Sequence, residues 1–284
     1  MATAVRSAQW GKKATTVRDR AVRTGSGLEL QAEYWRSTEF GRRNARGTSA
    51  QFMERGLRKI LFGRLYVEAD IEAAHPTMAA TGMRWAGMNA PEWSLLAADA
   101  RAYRNKVVEE YRRMGQVVAI DSVKRAITIL LNGGSMAKWS TTTVGRPLIS
   151  ESLRALGAEV KQFRGIAQRA FPEVSAAVER DGRQRSREQL KSSVVHAVMT
   201  GLEDRVLSAM EAAAAEQGWE CAALLGDGMM VRPFHGEWPG EWRTTAEAWE
   251  RSVLEKTGIR VRIAFKTLDG DKADSSVWRQ NLHA

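Results

Sequence analysis

CAALLGDGMMV, residues Cys221–Val231, places a lone aspartate between two apolar runs in a Gly-Asp-Gly turn. Asp-Gly flanked by strand-like residues is the strongest short-range signal for a β-hairpin. By itself the stretch therefore predicts a turn, with Asp227 as a turn residue. A second carboxylate set to meet Asp227 would give it a chemical role instead.

The candidate lies in YVEADIEAAHPTM, Tyr66–Met78. The alternating segment Arg64–Ile71 reads as a strand ending at or just beyond Asp70, and Pro76 fits the first turn of a following helix. Taken alone, Asp70 reads as an ordinary N-cap. Between the two acids, DSVKRAITILLNGG (121–134) reads as a helix carrying Lys124, with Asp121 as its N-cap and Gly133-Gly134 as its stop. The order is thus a strand-end aspartate, a helix lysine and a hairpin aspartate.

The other segments frame these three. QFMERGLRKILF (51–62) is a short amphipathic helix, residues 90–114 are helical up to Gly115, and residues 150–180 are helical with an interruption at Phe171-Pro172. A basic loop, RDGRQRSR, precedes a long helix over 189–217. After the hairpin come a Trp-rich loop (Trp238, Trp242), a helix over 244–257 and a strand over 259–268. No repeat and no Pro/Gly/Ser-rich linker divides the chain, which reads as one catalytic unit with a basic N-terminal extension.

Composition narrows the function classes. The 284 residues suffice for a full core, and no apolar run approaches the ~18–20 residues of a membrane span. The N-terminus lacks the apolar stretch of a signal peptide. A single cysteine excludes an internal disulfide and a Cys-rich zinc site, and the four histidines have no metal-ligand spacing. The expectation is a soluble intracellular protein of cytoplasm, nucleoid or nucleus, without a membrane partner. The formal charge is +10, and residues 1–64 hold 14 Lys and Arg against 5 Asp and Glu, which is +9 of it. That asymmetry fits a polyanion partner, and Trp10, Tyr34, Trp35 and Phe40 among the charges offer stacking surfaces for bases. The same aromatics fit a core equally well.

The whole order resembles the palm and fingers of family A DNA polymerases (DNA polymerase I-like) and of phage-type single-subunit RNA polymerases, in a minimal form. EADIEAAHP is similar to motif A, and KRAITILLNGG keeps the motif B lysine and glycine, Lys124 and Gly133, with Asn132 in the slot of the usual aromatic. AALLGDGMMV is similar to motif C. TEFGR resembles the element that grips the template-primer backbone, here through Arg42, with Arg43 and Arg46 following. FRGIAQRAFPEV, VVHAVMTGLEDRVLSAM and a closing strand followed by Trp278 extend the likeness to about residues 38–280.

This resemblance implies an α+β fold: a right-hand palm with a small antiparallel sheet and packed helices, helical fingers, and little or no thumb. It implies an arm over 1–37 and a core over 38–284, with fingers at about 115–190 and palm at about 60–90 and 191–280. The implied cofactor is Mg²⁺, with Mn²⁺ as a substitute. Two such ions about 3.5–4 Å apart stabilise the attacking and leaving oxygens of nucleotidyl transfer. Asp70, Asp227 and the backbone carbonyl of Ile71 are the implied ligands. Lys124 would contact the triphosphate, assisted by Arg125 and Thr128, while Asn132 and Gly133 would lie against the incoming base and the template. His196 and Thr200 would meet the nucleic acid. By its own charges the arm (Arg6, Lys12, Lys13, Arg18, Arg20, Arg23) reads as a phosphate tracker, or else as a disordered segment unrelated to binding.

Besides Asn132, three positions depart from the family pattern. Ile120 stands where the family has an arginine, and Gly228 where the DNA enzymes have glutamate. His75 stands where the DNA enzymes place the glutamate that excludes the ribose 2′-hydroxyl. His75 leans toward deoxynucleotides, whereas His196 resembles a histidine of the RNA enzymes, so sugar choice stays open. The leading expectation is a compact DNA-directed DNA polymerase of a virus or mobile element, acting on a DNA (or RNA) template-primer and nucleoside triphosphates. With little to hold a duplex, low processivity is expected unless the basic arm or a processivity partner compensates. A primase or RNA polymerase on the same palm, and a palm that binds nucleic acid without catalysis, are the alternatives.

Overall fold

The computed structural model describes residue 15, residues 22–24, 27–29, 32–36 and 39–47, and then 49–181, 183–234 and 238–268. The chain divides into two compact units. The first holds residues 1–37, 42–72 and 204–284, and the second holds 38–41 and 73–203.

The first unit is built on a four-stranded antiparallel sheet in the order β6-β7-β5-β8. Its strands are β5 (Val67–Ile71), β6 (Trp219–Leu224), β7 (Gly228–Pro233) and β8 (Ile263–Lys266). Period-2 alternation sorts the residues between two faces. Val67, Ala69 and Ile71 pair with Val231, Met229, Phe265 and Ile263, and all are buried. This face packs against helix α10 (Trp242–Thr257), where the Trp249 and Phe265 rings lie 5.1 Å apart and Trp219 joins them. The opposite face carries Glu68, Asp70, Gly228, Met230, Ala264 and Lys266 by register. At one end of that face Met230 joins a small core with Ala50, Ala223, Leu225 and Leu268.

Two short hairpins precede the sheet, β1 (Val22–Thr24) with β2 (Gly27–Glu29), and β3 (Tyr34–Arg36) with β4 (Arg43–Ala45). Helix α1 (Arg55–Phe62) follows. The β3–β4 hairpin is tied into the unit by Asp204, which accepts from the Arg36 side chain and from both the backbone and the side chain of Arg43. The Tyr34 hydroxyl accepts from the amide of Leu224 on β6.

The second unit is helical: α2 (Ala74–Trp85), α3 (Pro91–Ala98), α4 (Ala100–Arg113), α5 (Ile120–Leu131), α6 (Met136–Val144), α7 (Glu151–Ala170), α8 (Pro172–Arg180) and the first part of α9 (Arg187–Glu216). Its interior is formed by Met78, Met83, Trp93, Leu96, Tyr111, Val123, Leu153, Leu156 and Phe163. The helical reading of residues 90–114 resolves into two helices, because the Asp99 carboxylate accepts from the amides of Arg101 and Ala102 and starts a new one. Asp121, expected as an N-cap, instead sits in the first turn of α5, where a carboxylate still favours the positive end of the helix dipole. The strand expected over 259–268 is confined to Ile263–Lys266.

Among the described residues, no helix is long and apolar enough to cross a membrane.

Candidate active site

Asp70, on the polar face of the sheet, lies close enough to Asp227, in the turn before β7, to feel its charge. Asp70 lies opposite Gly228 in the β5–β7 ladder, and the amide of Ile71 donates to the carbonyl of Asp227 at 3.1 Å. The strand ending at Asp70 and the turn holding Asp227 are therefore joined by backbone hydrogen bonds, and neither acid serves as a helix cap. Helix α2 begins after Ala73, which takes a left-handed conformation at φ 51°. That conformation is uncommon for a residue with a Cβ.

Gly228 leaves no space for a side chain. A Cβ built there would lie 2.7 Å from the Ala69 carbonyl oxygen, 3.1 Å from Asp70 Cα and 3.2 Å from Asp70 Oδ1. The backbone of β5 presses on this position so closely that a side chain cannot enter without a shift. A third carboxylate at residue 228 is excluded by the same contact that brings the two acids together.

The Asp70 carboxyl is pushed up to about 6, first by burial and then by the charges of Asp227 and Glu68, while the hydrogen bond and charge of Lys266 oppose the rise. Lys266 Nζ, from the neighbouring strand β8, donates to Asp70 Oδ2. Neither Lys266 nor Glu68 was expected as a site residue. Alternation does place Glu68 on the same face as Asp70, two residues earlier. Lys266 is 196 residues away in sequence and meets Asp70 only through strand pairing.

The donor set is one of hard oxygens. Among the described residues no group of three or more His, Cys, Asp or Glu is arranged to hold a metal. Mg²⁺ is commonly held by one or two carboxylates together with substrate phosphates, so Asp70 and Asp227 fit it, and a divalent cation there would offset the charge of Asp227 that adds to burial in raising Asp70.

The remaining predicted residues distribute as follows. Arg42, in the first unit, lies at the hairpin turn, its Nη1 3.7 Å from where a Cβ on Gly226 would be. The Arg43 guanidinium is paired with Asp204 at 2.9 Å and Glu211 at 2.6 Å and also donates to Ser208. Arg46 is exposed. In the second unit, α5 buries Val123, Ala126, Ile127, Leu130 and Leu131 and exposes Lys124, Arg125 and Thr128 on its other face. The end of α5 is held by Arg164 Nη2, which donates to the carbonyls of Leu130 and Leu131 at 2.6 and 3.0 Å. Asn132 and Gly133 follow on the surface. Gly133 has φ 78° and would bring a Cβ within 3.0 Å of Ser192 Oγ. His75 is exposed on the first turn of α2. His196 is exposed on α9, and its carbonyl accepts from the Thr200 hydroxyl. Lys12, Lys13 and Trp278 lie outside the described residues.

The chain is similar to the POL domain of Pol1 from M. smegmatis, solved in complex with DNA primer-template and dNTP, with a TM-score of 0.52 and 13% identity. The chain has a polymerase-like fold. The match covers 97% of this chain and 52% of that one, so the chain spans about half the length of the polymerase domain it resembles. No protein-family model matches the sequence, and comparison with curated proteins finds no relative.

Proposed function

We propose that the chain is a template-directed nucleotidyltransferase, and specifically a compact DNA-directed DNA polymerase. The observation that carries this reading is the approach of Asp70, on β5, to Asp227, in the turn that leads into β7, where Gly228 pairs with Asp70 and leaves no room for a side chain. The polymerase-like fold supports it, as does the order of the three sequence motifs.

Asp70, Asp227 and the carbonyl of Ile71 would hold Mg²⁺, or Mn²⁺ in its place. When bound, the metal supplies Lewis-acid stabilisation to the attacking and leaving oxygens. The chain's own residues bind and orient. Lys124 offers a fixed positive charge to the triphosphate, where charge builds as pyrophosphate departs. Arg125 and Thr128 share its exposed face and assist. Asn132 and Gly133 border the base, and His75 gates the sugar. Arg42 and Arg46, with Lys12 and Lys13 of the arm, bind backbone phosphates, a contribution that falls steeply with salt. His196 and Thr200 face the template-primer. We assign Arg43 to anchoring the β3–β4 hairpin, because its guanidinium already serves Asp204 and Glu211.

Primer extension tests the reading. Purified protein is given a primed DNA template, Mg²⁺, and either dNTPs or NTPs, beside Asp70→Asn and Asp227→Asn variants. The expected result is extension with dNTPs and a loss in each variant larger than the ~10–100-fold that an outer-shell change costs. Unprimed products from NTPs would replace the reading with a primase or RNA polymerase. DNA binding without any synthesis would replace it with a palm that only binds.

A further inference from the structure

The polar face of the sheet holds a third acid and a base that the proposed function does not use. Glu68 lies two residues before Asp70 on the same strand face, and Lys266 stands directly opposite Glu68 in the β5–β8 register. Directly opposed residues of an antiparallel pair have Cβ atoms about 4.5–5.5 Å apart on one face. Yet Lys266 Nζ reaches along the strand to Asp70 Oδ2.

Glu68 feels the charge of buried Arg58, yet its carboxylate is incompletely hydrogen-bonded. Its side chain is 7% exposed, its Oε2 accepts no hydrogen bond, and its ion-pair partner Arg55 stands 3.8 Å away. Burying an ionised carboxylate is costly unless it is paired and hydrogen-bonded. The Lys266 stem is flexible and 24% exposed, so its ammonium can swing within the site without unfolding the strand.

Resting on the reading of Asp70 and Asp227 as metal ligands, we infer that Lys266 is an exchangeable counter-ion. A divalent cation entering at Asp70 displaces the Lys266 ammonium from Oδ2, and Glu68, the acid directly across the sheet, receives it. The exchange breaks one ion pair and forms another, with no change of covalent bonds. Lys266 competes with the metal, Glu68 lowers the free-energy cost of metal binding by rehousing the displaced charge, and the two are positioning residues for metal loading.

Mn²⁺ binding to the full chain, followed by electron paramagnetic resonance and calorimetry, tests this apart from activity. Lys266→Met is expected to tighten Mn²⁺ binding about tenfold or more, since one competing charge at about 4 Å is worth roughly fivefold even when screened as in bulk water, and more in a drier site. Lys266→Gln is expected to do the same with less disturbance of packing, and circular dichroism checks that each variant is folded. Glu68→Gln is expected to weaken binding about fivefold in the parent. In the Lys266→Met background that loss shrinks severalfold, because there is no ammonium to rehouse. Equal Glu68→Gln losses in the two backgrounds, or folded Lys266 variants with parental affinity, would overturn the exchange. Asp227→Asn separates the two ideas: if it abolishes Mn²⁺ binding while the Lys266 variants change nothing, the metal site stands and the exchange fails. If Asp227→Asn leaves binding intact, both fail.

Discussion

The amide of Ile71 donates to the carbonyl of Asp227 at 3.1 Å, one step beyond the Asp70–Gly228 pair. The β5–β7 ladder therefore runs through the site itself. The relative position of the two carboxylates is set by strand pairing rather than by a loose turn, and any backbone shift at this point reaches both acids.

Gly228→Ala probes that dependence. The added Cβ would stand 2.7 Å from the Ala69 carbonyl, a backbone atom that cannot rotate away. A stability loss of about 1–3 kcal/mol is expected from overpacking, read by urea denaturation, together with weakened Mn²⁺ binding. Gly228→Glu, whose longer side chain meets the same backbone carbonyl, is expected to lose more than Gly228→Ala. Parental stability in Gly228→Ala would show that the strands part there without strain.

The raised Asp70 carboxyl gives stability a signed pH dependence when no divalent cation is added. Below its ordinary value of 3.8 the group is protonated in both the folded and unfolded chain, and its contribution is at its most favourable. As pH rises to about 6 the unfolded chain releases the proton while the folded chain retains it, so the contribution is lost, and above about 6 the loss is complete. At about 1.4 kcal/mol per pH unit the difference is on the order of 3 kcal/mol. Asp70→Asn is accordingly expected to be more stable than the parent at pH 7.5, with the advantage gone by about pH 4, as measured by thermal melts across pH. A constant difference across that range would contradict the assignment.

Asp204 is the tie between the β3–β4 hairpin and α9. It is buried and accepts from Arg36 at 2.5 Å and from Arg43 Nε at 2.9 Å. Asp204→Ala is expected to lose at least about 2 kcal/mol, because several charge-assisted hydrogen bonds disappear together. Arg36→Ala is expected to lose less, since that guanidinium is half-exposed and solvent screens its pairing. Urea denaturation of the two variants gives the ranking, and the reverse order would refute it.

Ala73 holds a left-handed conformation with φ 51° at the start of α2. Such a conformation costs an L-residue with a Cβ about 1–2 kcal/mol, and glycine avoids that while losing roughly 0.5–1 kcal/mol of unfolded-chain entropy. Ala73→Gly is expected to raise stability by about 0.5–1 kcal/mol, read from the denaturation midpoint. A lower midpoint would mean that the alanine methyl contributes packing that outweighs the strain.

Local chemistry made part of this protein legible in its sequence. Strand β5 with Asp70 at its end, the hairpin around Asp227, the break of α7 and α8 at Phe171-Pro172 and the long α9 all follow from alternation, Asp-Gly turn chemistry and proline, which act between neighbours in the chain. Helix α6 was missed because MAKWSTTTV is rich in β-branched residues with weak helix preference. It is held instead by the Ser135 cap and by Gly145 at φ 80°. Tertiary structure alone decided the rest. The sheet order β6-β7-β5-β8 pairs strands that lie far apart in the chain, so Lys266 reaches Asp70, Glu68 comes to face Lys266, and Gly228 is pressed against Ala69. Period-2 alternation tells which face a strand residue takes. Which distant residue stands across from it depends on register, and register is set by the packing of both faces at once.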